Sequence, residues 1–77
     1  MENLLNRITV DPKILVGKPI IRGMRISVEL ILQSLAVGMS IESIIQEYPE
    51  LEREDIQAAL LYAADTLSAV KVYKIPA

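Results

Sequence analysis

The run Gly17-Lys18-Pro19-Ile20-Ile21-Arg22-Gly23-Met24-Arg25-Ile26-Ser27-Val28-Glu29 splits the chain into two parts of different character. Upstream of it the sequence is short, basic and strand-like; downstream it is helical and acidic. Residues 19–21 and 24–26 are apolar runs that flank Arg22-Gly23, and glycine supplies the positive φ a tight hairpin turn needs. The run therefore reads as a β-hairpin delivered straight into a helix. Ser27 is the expected N-cap, and Glu29 sits in the first turn, where a negative charge suits the helix dipole.

The flanking segments follow from this centre. Residues 7–10, Arg-Ile-Thr-Val, alternate polar and apolar and predict a short strand stopped by Asp11-Pro12. Residues 13–16 are compatible with either a helical turn or a second strand. Beyond the hairpin, Val28, Ile31, Leu32 and Leu35 make an i, i+3, i+4, i+7 stripe over a helix at 28–37, with Gly38 as its C′ residue. Leu30 and Val37 lie off that stripe, so this helix has two neighbours to pack against. Ser40 caps a second helix at 41–48, whose Ile41, Ile44, Ile45 and Tyr48 face inward and which Pro49 ends. Leu51 anchors the linker in the core. A third helix at 53–69 carries its stripe on Ile56, Leu60, Ala63 and Leu67. Residues 70–76 alternate again and predict a strand that pairs with the N-terminal strand, the hairpin or another chain. The fold class is mainly α: a three-helix, homeodomain-like helix-turn-helix with an N-terminal β-hairpin and short terminal strands. It forms one domain over 1–77, divided into a strand and hairpin arm (1–26), a three-helix unit (27–69) and a C-terminal strand or tail (70–77).

Composition narrows the function. Of the 77 residues 52% are hydrophobic, and the mean hydropathy is +0.36. That surplus, in so short a chain, predicts a homodimer or higher even oligomer built with segments 7–10, 19–26 and 70–75. Residues 1–26 carry a net charge of +3 and residues 27–77 a net −5. The split predicts either an anionic partner for the arm or pairing between halves of neighbouring subunits. The densest positive charge is Lys18, Arg22 and Arg25, the candidate nucleic-acid contacts; Val70, Val72, Tyr73 and Ile75 are the candidate partner contacts. The chain has no Cys and no His. Thiolate chemistry, disulfides and the commonest general base are therefore absent, and the serines have no imidazole to activate them. No cofactor or metal is expected, and the reading is not an enzyme. Gly17-Lys18-Pro19 is not a phosphate loop, since Pro19 removes an N–H and replaces the required hydroxyl. With no signal-peptide core and no apolar run of ~20 residues, a cytoplasmic location is expected.

The helices at 41–48 and 53–69 have helix-turn-helix spacing. In a DNA-reading version the third helix enters the major groove, but its outward N-terminal residues read as Glu54, Asp55 and Gln57, whose carboxylates repel phosphates. The acids at 50, 52, 54 and 55 read as a solvated face.

Residues 7–12, the run from Gly17 to Val28, Gly38-Met39-Ser40-Ile41-Glu42, Tyr48-Pro49-Glu50-Leu51 and residues 55–64 together closely resemble a widespread bacterial and archaeal family catalogued as a domain of unknown function. The resemblance implies a homeodomain-like antitoxin of a type II toxin–antitoxin module, partnered with a PIN-like ribonuclease toxin and able to repress its own operon. Two positions depart from the family pattern: Met24 stands where Thr is usual, and Glu52 where Thr or Ser often caps the third helix. The family supplies no catalytic residues. Two classes of function follow: a DNA-binding antitoxin, or a protein-interaction module with a helix-turn-helix shape and no DNA contact.

Overall fold

The computed structural model describes residues 3–68. Among these, the chain forms an N-terminal 3₁₀ turn (Leu4–Arg7), strand β1 (Ile8–Val10), strand β2 (Pro19–Ile21) and three helices, α1 (Val28–Ala36), α2 (Ile41–Glu47) and α3 (Arg53–Ser68). The fold is three helices with a small antiparallel sheet. The expected strand at 70–76 lies outside the described residues.

The sheet is built on β1, and the expected hairpin at 19–26 is present as a turn and one bridge. β1 pairs with β2, in the register Ile8↔Ile21, Thr9↔Ile20 and Val10↔Pro19. Pro19 is the first residue of its strand, where a missing N–H is tolerated. Residues 22–25 do turn the chain back: Met24 N–H donates to Ile21 O at 3.0 Å, Ile21 N–H to Ile26 O at 2.9 Å, and Ile20 bridges Ser27. Residues 24–26 are nevertheless not a strand, because the chain must reach the cap of α1 at Ser27. Segments 8–10 and 19–21 thus pair within one chain.

Each helix begins where a serine or an acid can hold its first amide groups. Ser27 Oγ accepts from Leu30 N–H at 2.9 Å, and Ser40 Oγ accepts from Ser43 N–H at 3.0 Å. At α3 the device is reversed. Glu52 occupies the cap position, and the buried carboxylate of Asp55 reaches back to accept the Glu52 N–H at 2.8 Å, the second arm of a capping box. α1 ends at Gly38, whose φ of +99° is the left-handed conformation a C′ residue needs. Arg53 of α3 donates to Glu42 of α2 at 2.6 Å. Hydrogen bonding to the Glu42 backbone amide, and then to Arg53, holds the Glu42 carboxyl below its ordinary pKa of 4.5. Its small contribution is therefore complete above that value and lost as the pH falls through the lowered one.

The core is aliphatic. Ile21, Ile26, Val28, Ile31, Ile44, Leu51, Ile56 and Ala59 form one buried cluster, against which Leu35, Ile45, Tyr48 and Tyr62 pack. Leu51 anchors the linker as expected. Leu60, expected in the core, is 45% exposed. The face that α3 buries runs through Asp55, Ile56, Ala58 and Ala59, because its N-terminal half packs against Leu4–Arg7, and small side chains there allow close approach. Ile56 is fully buried, so Ile56→Ala is expected to cost about 2–5 kcal/mol, read as a lower urea midpoint at unchanged m-value.

Candidate functional site

The turn that carries the basic residues is built by the pairing of β2. Gly23, at φ +78°, takes the left-handed position of the turn, and nothing lies within 4 Å of where a Cβ would stand. Arg22 and Arg25 are both exposed on either side of it. The structure does not gather Lys18, Arg22 and Arg25 into one patch. Lys18 donates to Glu29 at 2.7 Å, with both side chains more than half exposed. Lys18 and Arg25 share an open cleft of about 500 Å³ with Leu15, Val16, Ser27, Glu29, Leu30 and Gln33. Arg22 lines a separate recess of about 120 Å³ with Arg7, Met24, Glu52 and Asp55. Among the described residues no ion pair is made by Arg22 or Arg25. These two cations are available to a partner, whereas Lys18 is already engaged.

The acidic half is not uniformly a solvated face. Asp55 is 3% exposed, and its Oδ1 accepts from Arg7 Nη1 at 2.9 Å, while the same nitrogen donates to Glu52 Oε1 at 2.9 Å. So Asp55 points inward and not toward a groove. The charge split predicted from sequence is met within the chain: Arg7 pairs with Asp55 and Glu52, and Lys18 with Glu29. Arg7 was not singled out by sequence reasoning. A signal existed: Leu51, Asp55 and Ala59 are spaced i, i+4, i+8, so an acid stood on the buried stripe. Glu54 and Gln57 remain exposed at the start of α3, and Arg53 is tied to Glu42.

The other surface the fold leaves open is apolar. Pro19 and Val28, Leu32 of α1, and Tyr62, Ala63 and Leu67 of α3 line a groove of about 390 Å³. Leu60, Leu61 and Leu67 of α3 are exposed as well. Val70, Val72, Tyr73 and Ile75, the sequence candidates for partner binding, lie outside the described residues. Among the described residues no group of three side chains that suit a metal ion is brought together, and no helix is long and apolar enough to cross a membrane.

A family model described as "Protein of unknown function (DUF433)" matches residues 8–63. The chain belongs to the DUF433 family. The match spans the sheet, the basic turn and the buried part of all three helices, so the DUF433 signature is the fold's own framework. The uncharacterized protein y4eO of Sinorhizobium fredii is 39% identical over 56 residues, which are 73% of this chain and 25% of that protein. The crystal structure of a DUF433 member from Anabaena variabilis superposes with a TM-score of 0.77 at 28% identity, covering 83% of this chain and 63% of that one. This chain thus spans a quarter of the Sinorhizobium protein's length and less than two thirds of the Anabaena chain.

Proposed function

We propose that this DUF433 chain is a non-enzymatic regulator, the antitoxin of a type II toxin–antitoxin module, which binds a PIN-like ribonuclease and contacts its own operator DNA. The observation that carries this reading is a pair of neighbouring surfaces of different chemistry, which meet at Glu29 and Gln33. Arg22 and Arg25, which make no ion pair among the described residues, flank one turn, and an almost wholly apolar groove lies between α1 and α3. One suits phosphates, the other a protein, and an antitoxin that represses its own operon needs both. The nuclease partner is taken from the family resemblance.

The test is inhibition of a PIN-like ribonuclease, the partner class that the family resemblance implies. Equimolar chain is expected to stop its RNA cleavage and to copurify with it, and Leu67→Glu in the exposed groove wall is expected to weaken that inhibition by tenfold or more, about the worth of one buried leucine. Undiminished cleavage in a large molar excess of chain would remove the antitoxin reading. The proposed assembly is a homodimer or higher even oligomer, for which light scattering should give at least twice the 8.6 kDa chain mass.

A second reading, a protein-interaction module that never meets DNA, is favoured by Glu54 at the exposed start of α3. A carboxylate there opposes entry of that helix into a groove. In the reading preferred here the turn, and not α3, is the DNA contact.

A further inference from the structure

Residues Leu15 and Val16 have φ values of +49° and +57°, and Gly17 follows at +77°, so three consecutive residues are left-handed. Only the glycine adopts this conformation without strain; for a β-branched residue it is a true outlier. Local hydrogen bonds hold the segment in place. Gly17 N–H donates to Ile14 O at 3.1 Å, Lys18 N–H to Leu15 O at 3.2 Å, and Ile14 N–H to Asp11 O at 2.9 Å. Of the two alternatives for residues 13–16, the structure has a helical turn, a 3₁₀ turn at Leu15–Gly17, but in the left-handed conformation.

Val16 is also 95% exposed. Its side chain is thus strained and wet at once, and burial within the chain offsets neither cost. Asn or Gly would suit the backbone better, and any polar residue would suit the solvent better. An arrangement that is unfavourable twice over in the free chain makes physical sense where the side chain is used in a complex.

The surroundings identify the complex. Val16 lines the same cleft as Lys18 and Arg25, with half-buried Leu15 and Leu30, and with Ser27 and Gln33 as neutral hydrogen-bonding groups. Glu29 also lines it, but its carboxylate is paired with Lys18 at 2.7 Å, which leaves Arg25 as the unmatched charge. A protein hot spot would be a contiguous apolar patch, and the chain has one elsewhere, between α1 and α3. Val16 is the exposed apolar side chain of this cleft, Leu15 and Leu30 being half-buried, and such a knob beside an unmatched guanidinium fits a narrow slot with anionic walls.

We propose that Val16 is an apolar contact inserted into the minor groove of duplex DNA, with Arg25 beside it on the groove wall. This rests on the DNA half of the function proposed above and names a residue for it.

The test compares full-length wild type, Val16→Asn and Val16→Ile in fluorescence-anisotropy titrations on the upstream intergenic duplex. Asn tolerates the left-handed region, so Val16→Asn should melt about 4–8 °C higher than wild type. It should bind DNA about tenfold more weakly, with the salt slope unchanged, because no phosphate contact is lost. Val16→Ile keeps the apolar knob and should bind as wild type does. Equal binding by Val16→Asn and wild type would overturn the proposal, as would a loss of nuclease binding in that variant with its DNA affinity intact. A melting temperature below wild type would overturn the strain argument on which it stands. If wild type itself does not bind the duplex, the DNA reading fails and this proposal fails with it; normal wild-type binding with an indifferent Val16→Asn sinks this proposal alone.

Discussion

Asp55→Ala should bring the chain close to the edge of unfolding, a stability loss on the scale of emptying a core site. The carboxylate does two jobs from a buried position. One oxygen accepts from Arg7 across 48 residues of sequence, and the other caps the Glu52 amide at the start of α3. Alanine removes both, and leaves the Arg7 guanidinium with Glu52 but without the buried carboxylate. Arg7 keeps Glu52, so the loss is that of one charge-assisted hydrogen bond, about 1.5–3 kcal/mol, and the lost cap adds about 1 kcal/mol. Small domains have total stabilities of about 5–15 kcal/mol, with the shorter ones at the lower end. Asp55→Asn keeps an oxygen for the Glu52 N–H but gives up the charge, so it should fall between alanine and wild type. Urea denaturation followed by circular dichroism gives the comparison. A loss below about 1 kcal/mol for Asp55→Ala would mean that the pair contributes no more than an exposed one.

That pair also marks where sequence reasoning stops. The three helices were legible because their ends are written locally. Ser27 and Ser40 cap α1 and α2, Gly38 takes the left-handed C′ position, and Pro49 ends the second helix, all within a turn of the residues they act on. Ile31, Ile44 and Ile56 are buried because the 3.6-residue period carries that information. The period alone could not orient α3. Leu60 lies one turn beyond Ile56 and was placed in the core, but the helix is rotated to set Asp55, Ala58 and Ala59 inward. The cause is the Leu4–Arg7 turn packed on α3, which delivers Arg7 to Asp55, and no local pattern encodes a contact between such distant residues. The hairpin is present as a turn and one antiparallel bridge, Ile20↔Ser27, without a second strand at 24–26. Residues 19–21 found their partner in residues 8–10, while residues 24–26 were committed to reaching the Ser27 cap. The left-handed Leu15 and Val16 were illegible because neither residue type favours that conformation.

The basic cluster was half legible. Lys18, Arg22 and Arg25 were chosen for density of charge along the chain, and the fold then separates them by pairing Lys18 with Glu29 and setting Arg22 and Arg25 on two sides of one turn. The second large effect is therefore expected from Arg22 and Arg25 together. Both are exposed at a turn whose geometry is held by Gly23 and backbone hydrogen bonds, so removing both guanidinium groups should leave the fold and its melting temperature close to wild type. Each phosphate they engage releases counterions and contributes about −0.9 to the slope of log affinity against log salt. The double substitution to alanine should therefore lower affinity most at low salt and flatten the slope by about two. Gln57→Ala, on the exposed face of α3, should change little.

The most direct measurement is a mobility-shift titration on the upstream intergenic DNA at two salt concentrations, with wild type, the Arg22→Ala/Arg25→Ala double mutant and Gln57→Ala side by side. The account predicts retardation by wild type that weakens steeply with salt, weaker retardation with a flatter salt dependence by the double mutant, and near-wild-type behaviour of Gln57→Ala. Normal binding by the double mutant with loss in Gln57→Ala would place the contact on α3 and contradict it.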